Sequence, residues 1–536
     1  MSTTAKEKTA IDVLPVDSAD DVGKQSPVEI DPLVSLANAD DLFETVAFAF
    51  SIMSVIGGVS STLSFGLASG GHLGMVWGWF IPCLFVMCIA ASMAELASSM
   101  PTSAGLYYFS AKLAPERYSA LASWITGWAN ITGQGALVCS IDYTVAQMIT
   151  TAVAVSTDNA VLLGAGPTYG ILLAILLVHG IMCSAATRVL ARINLFYGFV
   201  IAGATVAAIV ALLVCSGDNK ATTKTAFLSY ENNTGWKNGM PQNSDNLAYD
   251  AAWSPDGWAF LLSFAAPMWS LTGYDSAAHI SEEVAGAARA APIAILVSVA
   301  VVGGMGWILL IAASFATVSV PRLLQTDLAL PMGQLLLDVL GKRGMLAIWS
   351  FTIIAQFLCG AAQAVDASRV VFAFARDGAL PGSRWWKRLN THTQTPVNAV
   401  WLVVALSALC GLLGFSATAF SSLAGASVIG LYTSYATPIF LRVTSGRRKL
   451  APGPFSLGKW SMPIGTVSVL WVTFVVVVLS FPPSQRTDAV QMNYASAIVL
   501  AVFVFAGCSW LFSARKWFAG PLPNIGREQE TSKAPF

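Results

Sequence analysis

Charge is what this 536-residue chain lacks: Asp, Glu, Lys and Arg make up 11% of it, less than half the ~25% usual in a soluble domain. That excludes a cytosolic enzyme. Neither sign prevails, with 29 Lys+Arg against 29 Asp+Glu, so there is no basic footprint and no nucleic-acid partner is expected. The 8 cysteines (Cys83, Cys88, Cys139, Cys183, Cys215, Cys359, Cys410 and Cys508) form no CxxC pair and lie in or at the ends of apolar stretches. They read as small packing residues, neither disulfides nor metal ligands. The absence of GxxxxGK[ST], HExxH and GxSxG leaves ATP hydrolysis and metal or serine hydrolase chemistry without support. No cofactor, no metal and no enzymatic activity are expected. What is abundant is apolar: 55% hydrophobic residues and a mean hydropathy of +0.65. The lipid bilayer is the expected solvent.

Residues 1 to about 40 are acidic, rich in Ser and Asp, and without periodicity or an apolar core, which predicts a disordered tail and no signal peptide. Twelve apolar stretches follow, near 43–68, 74–99, 119–150, 168–187, 191–215, 256–282, 291–317, 344–374, 396–415, 418–442, 462–482 and 492–514. Each matches the ~17–25 residues that a ~30 Å hydrocarbon core requires, and each must be helical, because an open sheet edge in lipid leaves backbone groups unpaired. The expected fold class is an all-α integral membrane protein. Its organisation is a tail at 1–40, a membrane domain at 41–515 and a second tail at 516–536.

Lys and Arg fix the expected orientation. With the N-terminus cytoplasmic, 22 of the 29 fall on inside segments and only Lys220, Lys224, Lys237, Arg322, Lys342, Arg343 and Arg486 outside. Both termini are therefore expected inside. The polar stretch 216–255 falls outside, where Asn232-Asn233-Thr234 is an N-glycosylation acceptor pattern.

Two stretches are interrupted near mid-depth by Gly and hydroxyl residues: Ser54-Val55-Ile56-Gly57-Gly58-Val59-Ser60-Ser61-Thr62 in the first and Pro267-Met268-Trp269-Ser270-Leu271-Thr272-Gly273-Tyr274-Asp275-Ser276 in the sixth. They occupy equivalent places, heading stretches 1 to 5 and 6 to 10. A matched pair of breaks points to an inverted-repeat secondary transporter, whose half-helix N-termini suit a substrate carboxylate and whose freed carbonyls suit an ammonium or cation. Small residues for close helix packing are the competing explanation. Asp275 adjoins the second break, and an ionisable side chain at that depth costs ~2.5–3.5 kcal/mol on insertion scales, which marks it as functional. It could bind an amine, carry a proton, or cap the inner half-helix. Trp269 offers a cation–π face to an ammonium. Asn130 and Gln134 share a helix face at i, i+4, as substrate contacts or as an interhelical hydrogen bond. Glu95, Glu282, Glu283, Arg369 and Arg376 end stretches on the cytoplasmic side and read as an inner gate of charged pairs or as snorkelling surface charge. Asp366 is expected to pair locally with Arg369. His279, four residues after Asp275, could tune it or be a packed histidine. Asp142 carries no assignment.

The break of the first stretch, the segment Ala94-Glu95-Leu96-Ala97-Ser98-Ser99-Met100-Pro101-Thr102-Ser103-Ala104-Gly105-Leu106-Tyr107-Tyr108-Phe109, Gly273-Tyr274-Asp275 followed by Ser281-Glu282-Glu283, and Ser368-Arg369 through Phe374-Ala375-Arg376-Asp377-Gly378-Ala379-Leu380-Pro381 resemble the amino acid-polyamine-organocation permeases over about 41–515. Gly453-Pro454-Phe455-Ser456-Leu457-Gly458-Lys459-Trp460, with the region from Trp269 to Pro292, resembles the fungal amino acid/choline branch, which includes GABA and choline permeases. The resemblance implies twelve transmembrane helices, a 5+5 inverted repeat (41–215 and 256–443, then 462–514) and alternating access. It implies further that Asp275 is the coupling acid and that Trp269 closes over substrate. Asn130 aligns with a substrate-contacting position, and Gln363 with a pocket position that is aromatic in some relatives. Ile56, Gly57, Gly58, Ser60, Thr272, Gly273 and Tyr274 would add backbone and hydroxyl contacts. The expected function is proton-coupled import of a small amine-bearing solute, an amino acid such as GABA, at the plasma membrane. The alternatives are a choline or polyamine permease and a non-transporting nutrient sensor.

Overall fold

The computed structural model describes residues 32–185, 187–217, 220–235, 255–281, 284, 286–393, 395–416, 418–483 and 493–521. The chain runs α1 (Pro32–Ile52), α2 (Val55–Ser99), α3 (Gly105–Leu113), α4 (Ser119–Ser156), α5 (Ala165–Cys183), α6 (Thr187–Cys215), α7 (Thr223–Leu228), α8 (Pro255–Leu262), α9 (Ala265–Ser270), α10 (Ser276–His279), α11 (Ala287–Ala316), α12 (Val320–Leu324), α13 (Pro331–Arg376), α14 (Ser383–Trp386), α15 (Val397–Cys410), α16 (Ala419–Val443), α17 (Ser461–Ser480) and α18 (Ala495–Phe512). Among the described residues every regular element is helical.

Nine helical segments among the described residues are long and apolar enough to cross a membrane, where twelve stretches were expected, and the difference has three physical causes. Leu42–Ser99 counts as one segment of 58 residues, yet at 1.5 Å per residue it far exceeds a ~30 Å core. It doubles back at Gly71, whose φ of +57° favours glycine, and Gly66 and Met75 lie against each other across the turn. The sixth stretch is broken into α8, α9 and α10, of 8, 6 and 4 residues. α16 is diluted by Ser427, Thr433, Ser434 and Tyr435, of which Ser427, Ser434 and Tyr435 are buried.

The interior is set by α4, whose apolar window is 78% buried, whereas that of α18 is 17% buried and peripheral. On α4 the positions Asn130, Gln134, Leu137, Ile141, Thr144 and Met148 recur at i, i+4, i+7 and are all buried. They meet an equivalent stripe on α13. Trp349 Nε1 donates to the Met148 carbonyl at 2.9 Å, Gln356 Nε2 to Thr144 Oγ1 at 3.1 Å, and Gln134 Nε2 to Asp366 Oδ2 at 2.8 Å. Numbers fall along one helix as they rise along the other, so α4 and α13 run antiparallel. α16 crosses α4 on the other side, with Gly133 and Gly430 backbone to backbone. The second half of α2 lies antiparallel to α11, through His72 Nδ1 to Ser314 Oγ at 2.9 Å, Trp79 Nε1 to the Gly303 carbonyl at 3.0 Å, and Ser98 Oγ to the Ala288 carbonyl at 2.7 Å.

Candidate functional site

The first break lies one turn earlier than Gly57-Gly58. Met53 and Ser54 leave the helix, and Val55 to Thr62 are already helical. The two glycines serve close approach instead. A Cβ on Gly57 would collide with Gln356 Oε1, and one on Gly58 would sit 3.0 Å from Ser270 Oγ. The second break spans 271–275, as expected, with Gly273 at φ +92°, a conformation that side chains resist. A Cβ there would also strike the Ile52 side chain. The two breaks therefore abut, and Thr62 Oγ1 lies 3.4 Å from Ser270 Oγ.

Between them is a small cavity of about 10 Å³, room for about one water molecule, walled by Ser54, Gly58, Trp269, Ser270, Thr272 and Gln356 with Ile52, Met53, Leu137, Ile141 and Cys359. Trp269 is held by its indole N–H, which donates to Ser140 Oγ at 3.0 Å, and its ring meets Phe420 edge-on at 5.4 Å. Phe420 stacks in turn on Phe65 at 5.7 Å. Of the expected site residues, Gly58, Trp269 and Thr272 are on the wall, with Gly57 behind Gln356. Ile56, Ser60, Asn130, Gln134, Tyr274 and Gln363 are buried but off it.

Asp275 and its partners form a second, polar centre. The carboxylate is wholly buried. Oδ1 accepts from the Tyr435 hydroxyl at 2.6 Å, and Oδ2 is 3.4 Å from Asn130 Nδ2 and 3.3 Å from His279 Nε2. It makes no capping bond to α10. Tyr435 also accepts from the Gly273 N–H at 3.3 Å, so it bridges the break and the acid. Asn130 donates as well to Ser434 Oγ at 3.3 Å. The far nitrogen of His279 is 3.3 Å from the Ser103 carbonyl. A carbonyl only accepts, so Nδ1 carries a proton, and between Nε2 and an ionised carboxylate there is a further one. Asp275 and His279 are thus joined through one proton in a buried site. A third group runs Gln363 Nε2 to Gln134 Oε1, then Gln134 Nε2 to Asp366 Oδ2.

Several placements differ from expectation. Asp366 turns to Gln134, whose Nε2 it accepts from at 2.8 Å, while Arg369 donates to the Val365 carbonyl at 3.4 Å: the fully buried carboxylate is met by a polar partner on α4. Glu95 does not stand with the arginines. Its oxygens accept from Ser456 Oγ at 3.3 Å, the Leu457 N–H at 3.2 Å and Ser461 Oγ at 2.5 Å, pinning the chain before α17 to the end of α2. Arg369 and Arg376 are half-buried near the end of α13, where the Tyr107 hydroxyl donates to Asp377 Oδ2 at 2.8 Å. Glu282 and Glu283 lie outside the described residues. Asn232 is half-buried, and its Oδ1 accepts from the N–H of Thr234 at 3.1 Å and its hydroxyl at 2.7 Å. Asp142 pairs with His179 Nδ1 at 3.1 Å, both fully buried, against Gly360.

A sequence profile described as amino acid permease matches residues 41–504. The amino-acid permease BAT1 of Arabidopsis thaliana is 36% identical over 502 residues, covering 90% of this chain and 93% of that protein. An uncharacterized amino-acid permease of Schizosaccharomyces pombe is 35% identical, covering 91% and 87%. The GABA-specific permease of Saccharomyces cerevisiae is 32% identical, covering 91% and 84%. The chain belongs to the amino acid permease family: it is a multi-pass membrane transporter and not an enzyme.

Proposed function

We propose that this permease is a secondary active carrier that imports an amino acid on a proton gradient by alternating access. The carrying observation is the small cavity between two abutting helix breaks with the hydrogen-bonded Asp275–His279 pair directly behind one of them. In this reading the nine qualifying segments become twelve crossings. The hairpin at Gly71 counts twice, α8 to α10 count as one broken crossing, and α16 as one. Residues 41–215 and 256–443 are then the two inverted repeats and 462–514 the last two helices, with both termini cytoplasmic and the carrier in the plasma membrane.

The substrate carboxylate faces the first turn of α2, where Val55, Ile56 and Gly57 have N–H groups with no intrahelical acceptor and the helix dipole is positive. The amine lies toward the ring of Trp269. Asp275 already receives three donors and is off the cavity wall, which favours proton carrying over direct amine binding. Arg369 and Arg376 remain the inner-gate candidates, whereas Glu95 takes the role of an anchor for the segment before α17.

Uptake of labelled amino acids, GABA, choline and putrescine by cells expressing the protein tests this. Accumulation of an amino acid that collapses with an uncoupler is expected. Uptake of choline or putrescine without any amino acid overturns the substrate class. Sodium dependence at fixed pH, indifferent to the uncoupler, overturns the proton.

A further inference from the structure

If Asp275 is committed to the proton, an ammonium held in the cavity needs another acceptor. The wall supplies one that sequence reading passed over. Gln356 is fully buried, and its Nε2 donates to Thr144 Oγ1 at 3.1 Å. The single hydroxyl proton of Thr144 is given to the Ile141 carbonyl at 2.8 Å, so Thr144 Oγ1 can only accept. This fixes which end of the Gln356 amide faces α4: the NH₂ must, and Oε1 is turned to the opposite side. There it occupies the space that a Cβ on Gly57 would fill and meets no donor among the described residues. Ser54 Oγ, 2.7 Å from that same Cβ position, is also without a partner among the described residues. Two buried oxygens without partners face the cavity beside the head of α2. A buried acceptor without a donor is costly, and a charged N–H donor is the strongest remedy.

We propose that Gln356 is the specificity-determining residue that reads the substrate ammonium, and that the substrate is consequently an α-amino acid. The second half follows from position. Oε1 lies against Gly57, in the same turn whose N–H groups face the carboxylate. An amine on the carbon next to the carboxylate reaches both at once. An amine two carbons further along, as in GABA, cannot approach Oε1 while its carboxylate stays at the head of α2. This inference rests on the amino acid reading of the cavity given above.

The test uses the full chain in proteoliposomes, with labelled L-alanine and GABA as transported probes and propionate, which is alanine without its amine, as competitor. Wild type is expected to take up L-alanine with the lower KM. Gln356→Met, close in shape but without an acceptor, should raise that KM about 10- to 100-fold, as for a hydrogen bond to a charged group. It should leave the inhibition constant of propionate within about twofold. Thr144→Val frees the amide to rotate and should raise the alanine KM by a smaller factor, again sparing propionate. It decides the matter if Gln356→Met does not reach the membrane. Equal losses for alanine and propionate would reduce Gln356 to packing and overturn its assignment, as would an unchanged alanine KM. A wild type that prefers GABA to alanine overturns the α-amino acid conclusion alone. Wild type that transports no amino acid refutes the functional reading itself, and this inference with it.

Discussion

Replacing Asp275 by asparagine preserves the shape of the side chain and removes its ability to share a proton with His279. The carboxylate accepts from Tyr435 at 2.6 Å, His279 at 3.3 Å and Asn130 at 3.4 Å. An asparagine can offer its one oxygen to Tyr435, which turns a charge-assisted bond into a neutral one and loses about 1 kcal/mol. Its NH₂ then faces the NH₂ of Asn130, donor against donor, and a buried bond left unmade costs about 1–3 kcal/mol. The sum of about 2–4 kcal/mol corresponds to about 30- to 1000-fold at 1.4 kcal/mol per decade, and falls on any step that requires the ionised acid. Meanwhile the new amide can donate to His279 Nε2, which leaves a neutral ring with Nδ1–H still on the Ser103 carbonyl. The site keeps its bonds to the histidine and has no proton to release. Initial rates in proteoliposomes under an imposed pH gradient should therefore fall by that factor. Counterflow with no gradient, which needs no net proton movement, should survive within about tenfold. A variant that still accumulates substrate with wild-type dependence on external pH would refute the assignment of Asp275 to the proton.

Gly57→Ala places a methyl where Gln356 Oε1 sits and 2.7 Å from Ser54 Oγ. Overpacking of this kind costs about 1–3 kcal/mol, so uptake should fall about 5- to 100-fold with surface expression retained, as read by uptake normalised to surface label. His179→Leu strands a wholly buried Asp142 carboxylate and should cost about 3–5 kcal/mol, seen as a marked drop in melting temperature in detergent. The double change of Asp142 and His179 to leucine should recover much of it, because removing both charges is far cheaper than removing one. Glu95→Gln presents an NH₂ where Ser456, Leu457 or Ser461 now donates. Proteolysis between 453 and 460 should speed up while substrate KM stays within about twofold; a changed transport rate with unchanged proteolysis would return Glu95 to the gate.

Much of this arrangement was legible in one dimension. The excess of apolar residues, the segment lengths and the second break all depend on local composition, and local composition is what a sequence displays. Gly273 is the clearest case: its φ of +92° is a property of one residue and needs no partner to explain it. The first break misled by one turn because Met53 and Ser54 are ordinary helix residues, while the conspicuous Gly57 and Gly58 are small for the sake of Gln356 and Ser270 on other helices. The partners were the harder part. Tyr435 lies 160 residues from Asp275, and Ser456 lies 361 from Glu95; nothing in either neighbourhood names the other. A usable signal did exist on α13, where Gln356, Gln363 and Asp366 recur at i, i+7 and i+10 on one face of the largely apolar stretch 353–367. Three polar side chains on one stripe in lipid require a polar stripe opposite, and α4 supplies it with Asn130, Gln134 and Thr144.

In the proton-coupled reading proposed above, a proton and a solute would be linked without sharing a binding site. Tyr435 holds both ends of the link, since its hydroxyl donates to Asp275 Oδ1 and accepts from the Gly273 N–H. Protonating the acid weakens the bond that Tyr435 donates, and a hydroxyl that donates less strongly also accepts less strongly, because successive hydrogen bonds polarise one another. The grip on Gly273 slackens, and Gly273 belongs to the same break as Thr272, which walls the cavity. Substrate acts on that wall from the other side. A ligand can shift such an equilibrium only by its differential affinity for the two arrangements, and in the proposed reading both ligands would bear on one break: the proton through Tyr435, the solute through Trp269 and Thr272. Placing the acid behind the break rather than in the cavity lets the carrier discriminate solutes with neutral groups such as Gln356. Under that reading the buried Asp275–His279 pair is the group left to respond to the gradient.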